Sequence, residues 1–224
     1  MKKDFKLSAP VDLIKYYVSQ DFGPTENPKT KGWYAELGMA GHNGLDFACP
    51  IGVPVKATHD GEVFIYTTDK GGKSIKLFND EEKIMTLHLH LSKQLVATRN
   101  IVKATQTIGL AGDTGENTTG PHLHFGLYEL QRNSREIKNL DNGYNGAIDP
   151  VPYLARKLKD GTYFKTEFEK EVYFVRNGMR WWIVNEEYFK NWNYGQPINK
   201  AEFEVVDLIT RNYYKYGGPI GVTK

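Results

Sequence analysis

The sequence predicts a mainly β protein, with an antiparallel β-sheet domain followed by a small aromatic-rich α+β module. Three observations support this prediction. Short strand-like segments separated by Gly, Asp or Asn follow one another from about Val53 to Tyr128. No stretch of helical period interrupts them. The composition then changes, because 16 of the 29 aromatic residues lie in positions 151–224.

Four strands are predicted in the β domain, at 53–57, 61–67, 73–79 and 83–91. Ile75, Leu77 and Ile84 lie among alternating polar neighbours, which is the period of a strand with one buried face. Gly71-Gly72 and Asn79-Asp80 supply the residues that turns require. The order of these segments indicates an antiparallel sheet.

The remaining segments divide the chain into three regions. The proline-rich segment Asp149–Tyr153 ends the β domain. Beyond it, the pattern from Glu171 to Val184 predicts a β-hairpin with its turn at Asn177-Gly178, and Asn185 is placed to cap a short helix over 186–192. We therefore expect an N-terminal extension (1–17), a β domain (18–154) and a C-terminal module (155–224).

Charge and cysteine content exclude several classes of protein. The formal net charge is +2 and no basic run is present, so we expect no nucleic-acid partner. Cys49 is the only cysteine, which rules out an intramolecular disulfide and a thiolate zinc cluster and favours a small buried side chain. No apolar run is long enough for a membrane span. Charged residues interrupt the N-terminus, so a signal peptide is not indicated and a soluble cytoplasmic chain is expected.

Five of the six histidines fall in three short motifs that together indicate a zinc hydrolase site. They are His42 with Asp46 four residues later, His88 with His90, and His122 with His124. Two residues apart on a strand, the members of a His-x-His pair leave the same face of the sheet. Two imidazoles and one carboxylate can hold Zn²⁺ with an open position for water, and two further histidines would then remain for proton transfer. His59, beside Asp60-Gly61 in a turn, is expected at the surface.

The residues around these motifs resemble the lysostaphin/LytM-type zinc endopeptidases that cleave peptidoglycan. The resemblance covers roughly residues 18–154 and rests on the order and spacing of five segments: Gly41–Phe47, Gly52–Ala57, His90–Lys93, Gln106–Gly115 and Thr119–Phe125. It implies a LytM-type sheet with an active-site groove. Thr105 stands where relatives usually have a glycine, and this departure puts the shape of that loop in question.

The resemblance also implies roles for individual residues. His42, Asp46 and His124 would bind one Zn²⁺ per chain, while His90 and His122 would activate the water and stabilise the tetrahedral intermediate. Tyr34 would steady the transition state. His88 stands where relatives commonly carry an aromatic residue; it is expected on the same side as His90, either in contact with the site or in a structural role.

The function predicted is zinc-dependent hydrolysis of peptide bonds in bacterial peptidoglycan, in a cross-bridge or a stem peptide, by a monomer. One alternative is a non-catalytic LytM-type activator of cell-wall amidases, although every zinc ligand is present here; another is a zinc peptidase acting on protein. Without a signal peptide, the chain would reach the wall as a phage-encoded lysin or by non-classical export. The C-terminal aromatic residues, which include Trp181, Trp182, Tyr188 and Trp192, either build the core of the module or bind wall sugars.

Overall fold

The computed structural model describes residues 5–155, 158, 161–166, 171–176, 179–183, 204–206 and 215–220. It divides the chain into two compact units, the first formed by Met1–Asp12 with Tyr16–Leu154 and the second by Leu13–Lys15 with Ala155–Lys224. None of the helices in the described part of the chain is long and apolar enough to cross a membrane.

The regular elements of the first unit are mostly strands. Its elements are β1 (Val18–Gln20), α1 (Pro28–Glu36), β2 (Leu45–Ala48), β3 (Pro54–Lys56), β4 (Gly61–Thr68), β5 (Gly72–Asn79), β6 (Ile84–Leu91), β7 (Lys93–Gln94), β8 (Ile101–Val102), β9 (Thr107–Leu110), β10 (His122–Glu129), β11 (Ala147–Ile148) and α2 (Val151–Leu154). The four strands predicted between residues 53 and 91 are confirmed as β3 to β6.

The main sheet has the strand order β1-β2-β10-β6-β5-β4-β8, and β11 pairs with the outer part of β10. Every pairing in it is antiparallel, as the sequence predicts. A small second sheet has the order β3-β9-β7. Since β10 lies between β2 and β6, the His-x-His motif at its start is in the middle of the main sheet.

One face of the main sheet packs into the core. Val63, Leu77, Thr86 and Leu127 lie opposite one another across four strands, and all four are fully buried. The alternation of apolar and polar residues in these strands produces this face. On the other face a separate buried cluster of Met85, Leu87, Tyr128, Leu130 and Ala147 lies further along β6 and β10.

The N-terminal segment packs within the first unit. Leu7 and Val11 are buried, at 7% and 1% exposure. Backbone hydrogen bonds join Leu7 N–H to Tyr153 O (3.0 Å), Ser8 N–H to Thr58 O (2.7 Å) and Lys56 N–H to Pro10 O (2.8 Å). The segment therefore connects β3 and the loop after it to the short helix that closes the unit.

The second unit contains the predicted hairpin. β13 (Tyr173–Arg176) and β14 (Met179–Ile183) pair antiparallel, with Arg176 opposite Met179. They belong to a sheet with the order β15-β12-β13-β14-β16, in which β12 is Tyr163–Thr166, β15 is Glu204–Val206 and β16 is Lys215–Ile220. The turn at Asn177-Gly178 and the helix predicted over 186–192 lie outside the described residues.

Candidate metal centre

Three side chains predicted to bind zinc meet at the junction of β2 and β10. Asp46 and His124 lie directly opposite each other in the two strands. His42, just before β2, is held by paired backbone hydrogen bonds with Gly23. His42 Nε2 lies 3.0 Å from His124 Nδ1, His124 Nδ1 lies 3.0 Å from Asp46 Oδ1, and His42 Nε2 lies 3.2 Å from Asp46 Oδ1. Three donor atoms therefore form a nearly equilateral triangle.

This triangle fits a divalent cation. Metal–ligand bonds of ~2.0–2.1 Å in tetrahedral geometry place neighbouring donor atoms about 3.3 Å apart. His42 Nδ1 lies 3.0 Å from Asp21 O and donates its proton there, so His42 Nε2 presents a lone pair to the centre. That lone pair and the Asp46 carboxylate oxygen are ligand atoms of the kinds that bind Zn²⁺. The side-chain Nε2 of His124 is buried and has no hydrogen-bond partner among the described residues, which leaves Nδ1 as its connection to the centre.

The charge states of Asp46 and His124 also suit metal binding. Burial by itself raises the pKa of Asp46, but the close contacts of its carboxylate with the His124 and His42 rings outweigh burial and hold that pKa well below its usual range. Burial lowers the pKa of His124. At neutral pH the centre therefore offers one carboxylate and neutral imidazole, the forms that bind a metal.

His90 and His122 form a second pair beside the triangle. Their ring centroids are 4.7 Å apart, and His122 Nε2 lies 3.8 Å from Asp46 Oδ1. His90 Nδ1 lies 2.9 Å from Thr114 O and His122 Nδ1 lies 2.7 Å from Gly120 O. Because a carbonyl oxygen only accepts, each Nδ1 carries a proton, and Nε2 is the ring nitrogen that remains for proton transfer. Burial lowers the pKa of His90 to about 4, so its ring is neutral at pH 7.

A β-bulge brings His90 to this pair. Between the pairs Ile75–His88 and Lys73–Leu91, β5 advances by two residues whereas β6 advances by three. His90 adopts a positive φ of 62°, and its N–H donates to Gly71 O at 3.0 Å. A left-handed residue costs on the order of 1–3 kcal/mol, and histidine is among the residues found there more often than most. The bulge turns His90 to the face that carries His122 and His124.

The same bulge makes the expectation that His88 faces the same side as His90 wrong, and its position agrees with the alternative of a structural role. His88 lies opposite Phe125 on β10, and its ring is 5.3 Å from the Phe125 ring. It is fully buried on the core face, whereas His90 faces the metal centre. The strict alternation used for the sequence prediction fails because one residue is inserted between the two histidines. His88 therefore belongs to the core.

Two residues near the centre fit tightly around the ligands. Gly44 has no side chain, and a Cβ there would lie 2.7 Å from His124 Cε1 and 2.8 Å from His124 Nε2. Tyr34, buried on α1, stacks on His42 with ring centroids 5.9 Å apart. Burial and the charge of Asp46 raise the pKa of Tyr34 well above its usual value, so its hydroxyl stays protonated. Gln20 Nε2 donates to that hydroxyl at 2.7 Å; no sequence motif pointed to Gln20.

His59 and Cys49 lie away from this group. The expectation that His59 is a surface residue is wrong, because only 4% of it is exposed. Its Nδ1 donates to Asp60 O at 2.8 Å and its Nε2 accepts from Thr86 Oγ1 at 3.1 Å. Because each ring nitrogen has a hydrogen-bond partner, the His59 ring can be buried at a turn without leaving a polar atom unpaired. Cys49 is buried, as expected, and burial raises the pKa of its thiol to about 11.

Comparison with known proteins gives one consistent result. Residues 40–138 match the profile of peptidase family M23. The peptidoglycan DD-endopeptidase ShyA of Vibrio cholerae is 41% identical over 119 residues, which are 53% of this chain and 26% of ShyA. The glycyl-glycine endopeptidase ALE-1 of Staphylococcus capitis is 38% identical over 122 residues, 53% of this chain and 31% of ALE-1. These matches span only about a quarter to a third of the relatives' length.

One of the solved structures is matched over nearly its whole length. The catalytic domain of the antimicrobial peptidase lysostaphin from Staphylococcus simulans superposes with a TM-score of 0.50 at 31% identity. The match covers 63% of this chain and 93% of that domain. The similarity is therefore concentrated in the unit that contains the histidine motifs.

Proposed function

The chain belongs to peptidase family M23, and from this premise we propose that it is a zinc-dependent endopeptidase that hydrolyses peptide bonds in bacterial peptidoglycan. The observation that carries the proposal is the triangle of His42, Asp46 and His124 donor atoms with the His90–His122 pair beside it. The bond would lie in a cross-bridge or a stem peptide. Of the relatives named above, ShyA is named as a peptidoglycan DD-endopeptidase and ALE-1 as a glycyl-glycine endopeptidase.

Zinc is the cofactor, and we assign its binding to Nε2 of His42, Oδ1 of Asp46 and Nδ1 of His124. Bound zinc supplies Lewis acidity, which lowers the pKa of a water towards ~7 and polarises the scissile carbonyl. Asp21 fixes the His42 ring through its backbone carbonyl, and Gly44 leaves room for the His124 ring. These contacts orient the ligands before the metal arrives.

His90 and His122 are assigned to proton transfer. Both rings are held by a carbonyl at Nδ1, so Nε2 is the atom that we assign to accept a proton from the attacking water and return it to the leaving amine. General acid–base catalysis of this kind contributes on the order of 10²–10⁴-fold. The Tyr34 hydroxyl is assigned as a hydrogen-bond donor to the negative charge that develops on the carbonyl oxygen.

The proposal is tested by digesting purified peptidoglycan with the zinc-loaded protein and reading new termini by mass spectrometry. We expect new amino termini that disappear with a chelator and with His122→Ala. Intact wall peptides in the presence of bound zinc would contradict the proposal and would favour an amidase activator or a protein substrate.

The role assignment makes a sharper prediction. His122→Ala should retain zinc and lose hydrolysis, whereas His124→Ala should lose both, because only His124 is assigned as a ligand. Metal content by atomic absorption and hydrolysis of wall fragments are measured on the same samples. Loss of zinc from His122→Ala, or unchanged hydrolysis in either variant, would refute the roles.

For residues 155–224 we propose a small separate α+β module, with binding to the wall as its function. Part of its aromatic content serves its own core, since Trp182 packs against the buried cluster of Phe164, Tyr173 and Val175. Deleting 155–224 should weaken binding to isolated walls; unchanged binding would exclude the wall-binding role. The protein is proposed to act on the bacterial cell wall as a monomer, without nucleic acid.

A further inference from the structure

The side-chain amide of Gln20 contacts the hydroxyl of Tyr34 at the edge of the metal centre. Gln20 ends β1, where its Cα lies opposite Asp46 of β2. Its Nε2 donates to Tyr34 Oη at 2.7 Å. The Tyr34 ring in turn stacks on His42 at an interplanar angle of 30°. Gln20 is therefore tied to two of the three proposed ligands, by strand pairing to one and through Tyr34 to the other.

The direction of this hydrogen bond decides what the tyrosine can do. A phenolic hydroxyl has one proton to donate and lone pairs that accept. Gln20 uses a lone pair, and no described residue accepts the hydroxyl proton of Tyr34. That proton is therefore left for a group that enters the centre. A side chain that only accepts, placed at position 20, would take the proton instead.

We infer that Gln20 is a positioning residue, which holds the Tyr34 hydroxyl as a donor towards the charge that develops on the substrate carbonyl. This inference rests on the proposed function for the identity of that carbonyl. Gln20 itself touches no reacting atom. Gln20 should therefore affect kcat more than KM, because a donor aimed at developing charge stabilises the transition state more than the bound substrate.

The decisive variant is Gln20→Glu, which keeps the shape of the side chain and replaces its donor group by a carboxylate. The carboxylate accepts the Tyr34 proton and turns it away from the substrate. We expect kcat on a soluble wall peptide to fall about 10- to 100-fold, with KM and zinc content unchanged. Gln131→Glu, the same change at an exposed position of the loop after β10, is the matched control and should keep wild-type kcat.

A double variant tests whether Gln20 acts through Tyr34. Tyr34→Phe should lower kcat by a factor similar to that of Gln20→Glu, and the combination should be no worse than Tyr34→Phe alone. Multiplying losses would show that Gln20 acts by another route. Loss of zinc from Gln20→Glu would show that Gln20 supports the ligands and would overturn the inference, as would wild-type kcat in that variant.

A readout that needs no hydrolysis separates this inference from the proposed function. In zinc-free protein labelled at the tyrosine Cζ carbons, the ¹³C signal of Tyr34 is identified by its disappearance in Tyr34→Phe. At pH 7 this signal should shift in Gln20→Glu, because the hydroxyl changes from acceptor to donor, and should stay in place in Gln131→Glu. An unshifted signal would overturn the inference. A shifted signal in a protein that cleaves no wall peptide would refute the proposed function and leave the hydrogen bond established.

Discussion

Thr105 has a backbone conformation that favours glycine. Its φ is +72°, and its N–H donates to Ala57 O at 2.8 Å, so the loop keeps the shape that a glycine would give it. A β-branched residue is strained there. This answers the question that the sequence raised about the loop.

Replacing Thr105 by glycine should therefore stabilise the protein. Relief of strain is worth on the order of 1–3 kcal/mol, and the extra freedom of glycine in the unfolded chain costs about 0.5–1 kcal/mol, so we expect a gain of about 1 kcal/mol. Denaturant unfolding of Thr105→Gly measures it. Thr107→Gly, in the regular strand β9, is the control and should lose stability; a similar loss in both variants would contradict the argument.

The absence of a side chain at Gly44 should be necessary for tight zinc binding. A methyl group there meets the His124 ring at 2.7 and 2.8 Å and Phe125 O at 2.5 Å, so the ring must move away from the other ligands. We expect Gly44→Ala to weaken zinc binding by about 10- to 100-fold, the range found when the support of a ligand is lost. Competition with a chromophoric chelator measures the affinity. Gly32→Ala on α1, where a methyl group meets open space, should bind zinc as the wild type does.

At the scale of the element, the sequence was most informative where strands are regular. In the segment 73–79, Ile75 and Leu77 alternate with polar neighbours, and the strand predicted there is confirmed as β5. The inserted residue in β6 could not be foreseen, because a bulge leaves no mark on the alternation of Leu87–Leu91 and is fixed by the partner strand. Gln20 was missed for a related reason: its position opposite Asp46 depends on the pairing of β1 with β2. The histidine and aspartate motifs were enough to predict the residues of the candidate site. Their residue types and spacing indicate metal binding even when the register of the strands is unknown.

The inward orientation of His88 on β6 should make the fold sensitive to acid. Burial lowers the pKa of His88 to about 3, whereas histidine in an unfolded chain titrates near ~6.5. Acidification below pH 6.5 therefore protonates the unfolded chain before the folded one and destabilises the fold. At pH 5 this residue alone accounts for about 2 kcal/mol relative to pH 7.

The measurement compares wild type and His88→Phe, both freed of zinc, by denaturant unfolding between pH 7 and pH 5. Phenylalanine keeps a ring against Phe125 and removes the titration, so the variant should lose less stability on acidification, by about 2 kcal/mol at pH 5. Equal losses in the two proteins would show that His88 is protonated in the folded state.

At the scale of the whole molecule, residues 5–12 should contribute to the stability of the first unit. Leu7 and Val11 are buried and the segment joins β3 to Tyr153. Val11→Ala removes about two methylene equivalents from a site with 1% exposure and should cost about 2 kcal/mol of unfolding free energy. Ile51→Ala, at 59% exposure, is the control and should change stability by less than about 0.5 kcal/mol. An equally small effect at Val11 would mean that residues 5–12 contribute little to the free energy of unfolding.

The hydrogen bond from Leu7 N–H to Tyr153 O also brings the two ends of the first unit side by side. A unit whose entry and exit points adjoin can be inserted into a longer polypeptide, or joined to new flanking sequence, without stretching its strands. The relatives carry the matching segment as 26% or 31% of much longer chains. Recombination can therefore place the unit between different flanking domains. The arrangement of its histidines stays the same when this happens.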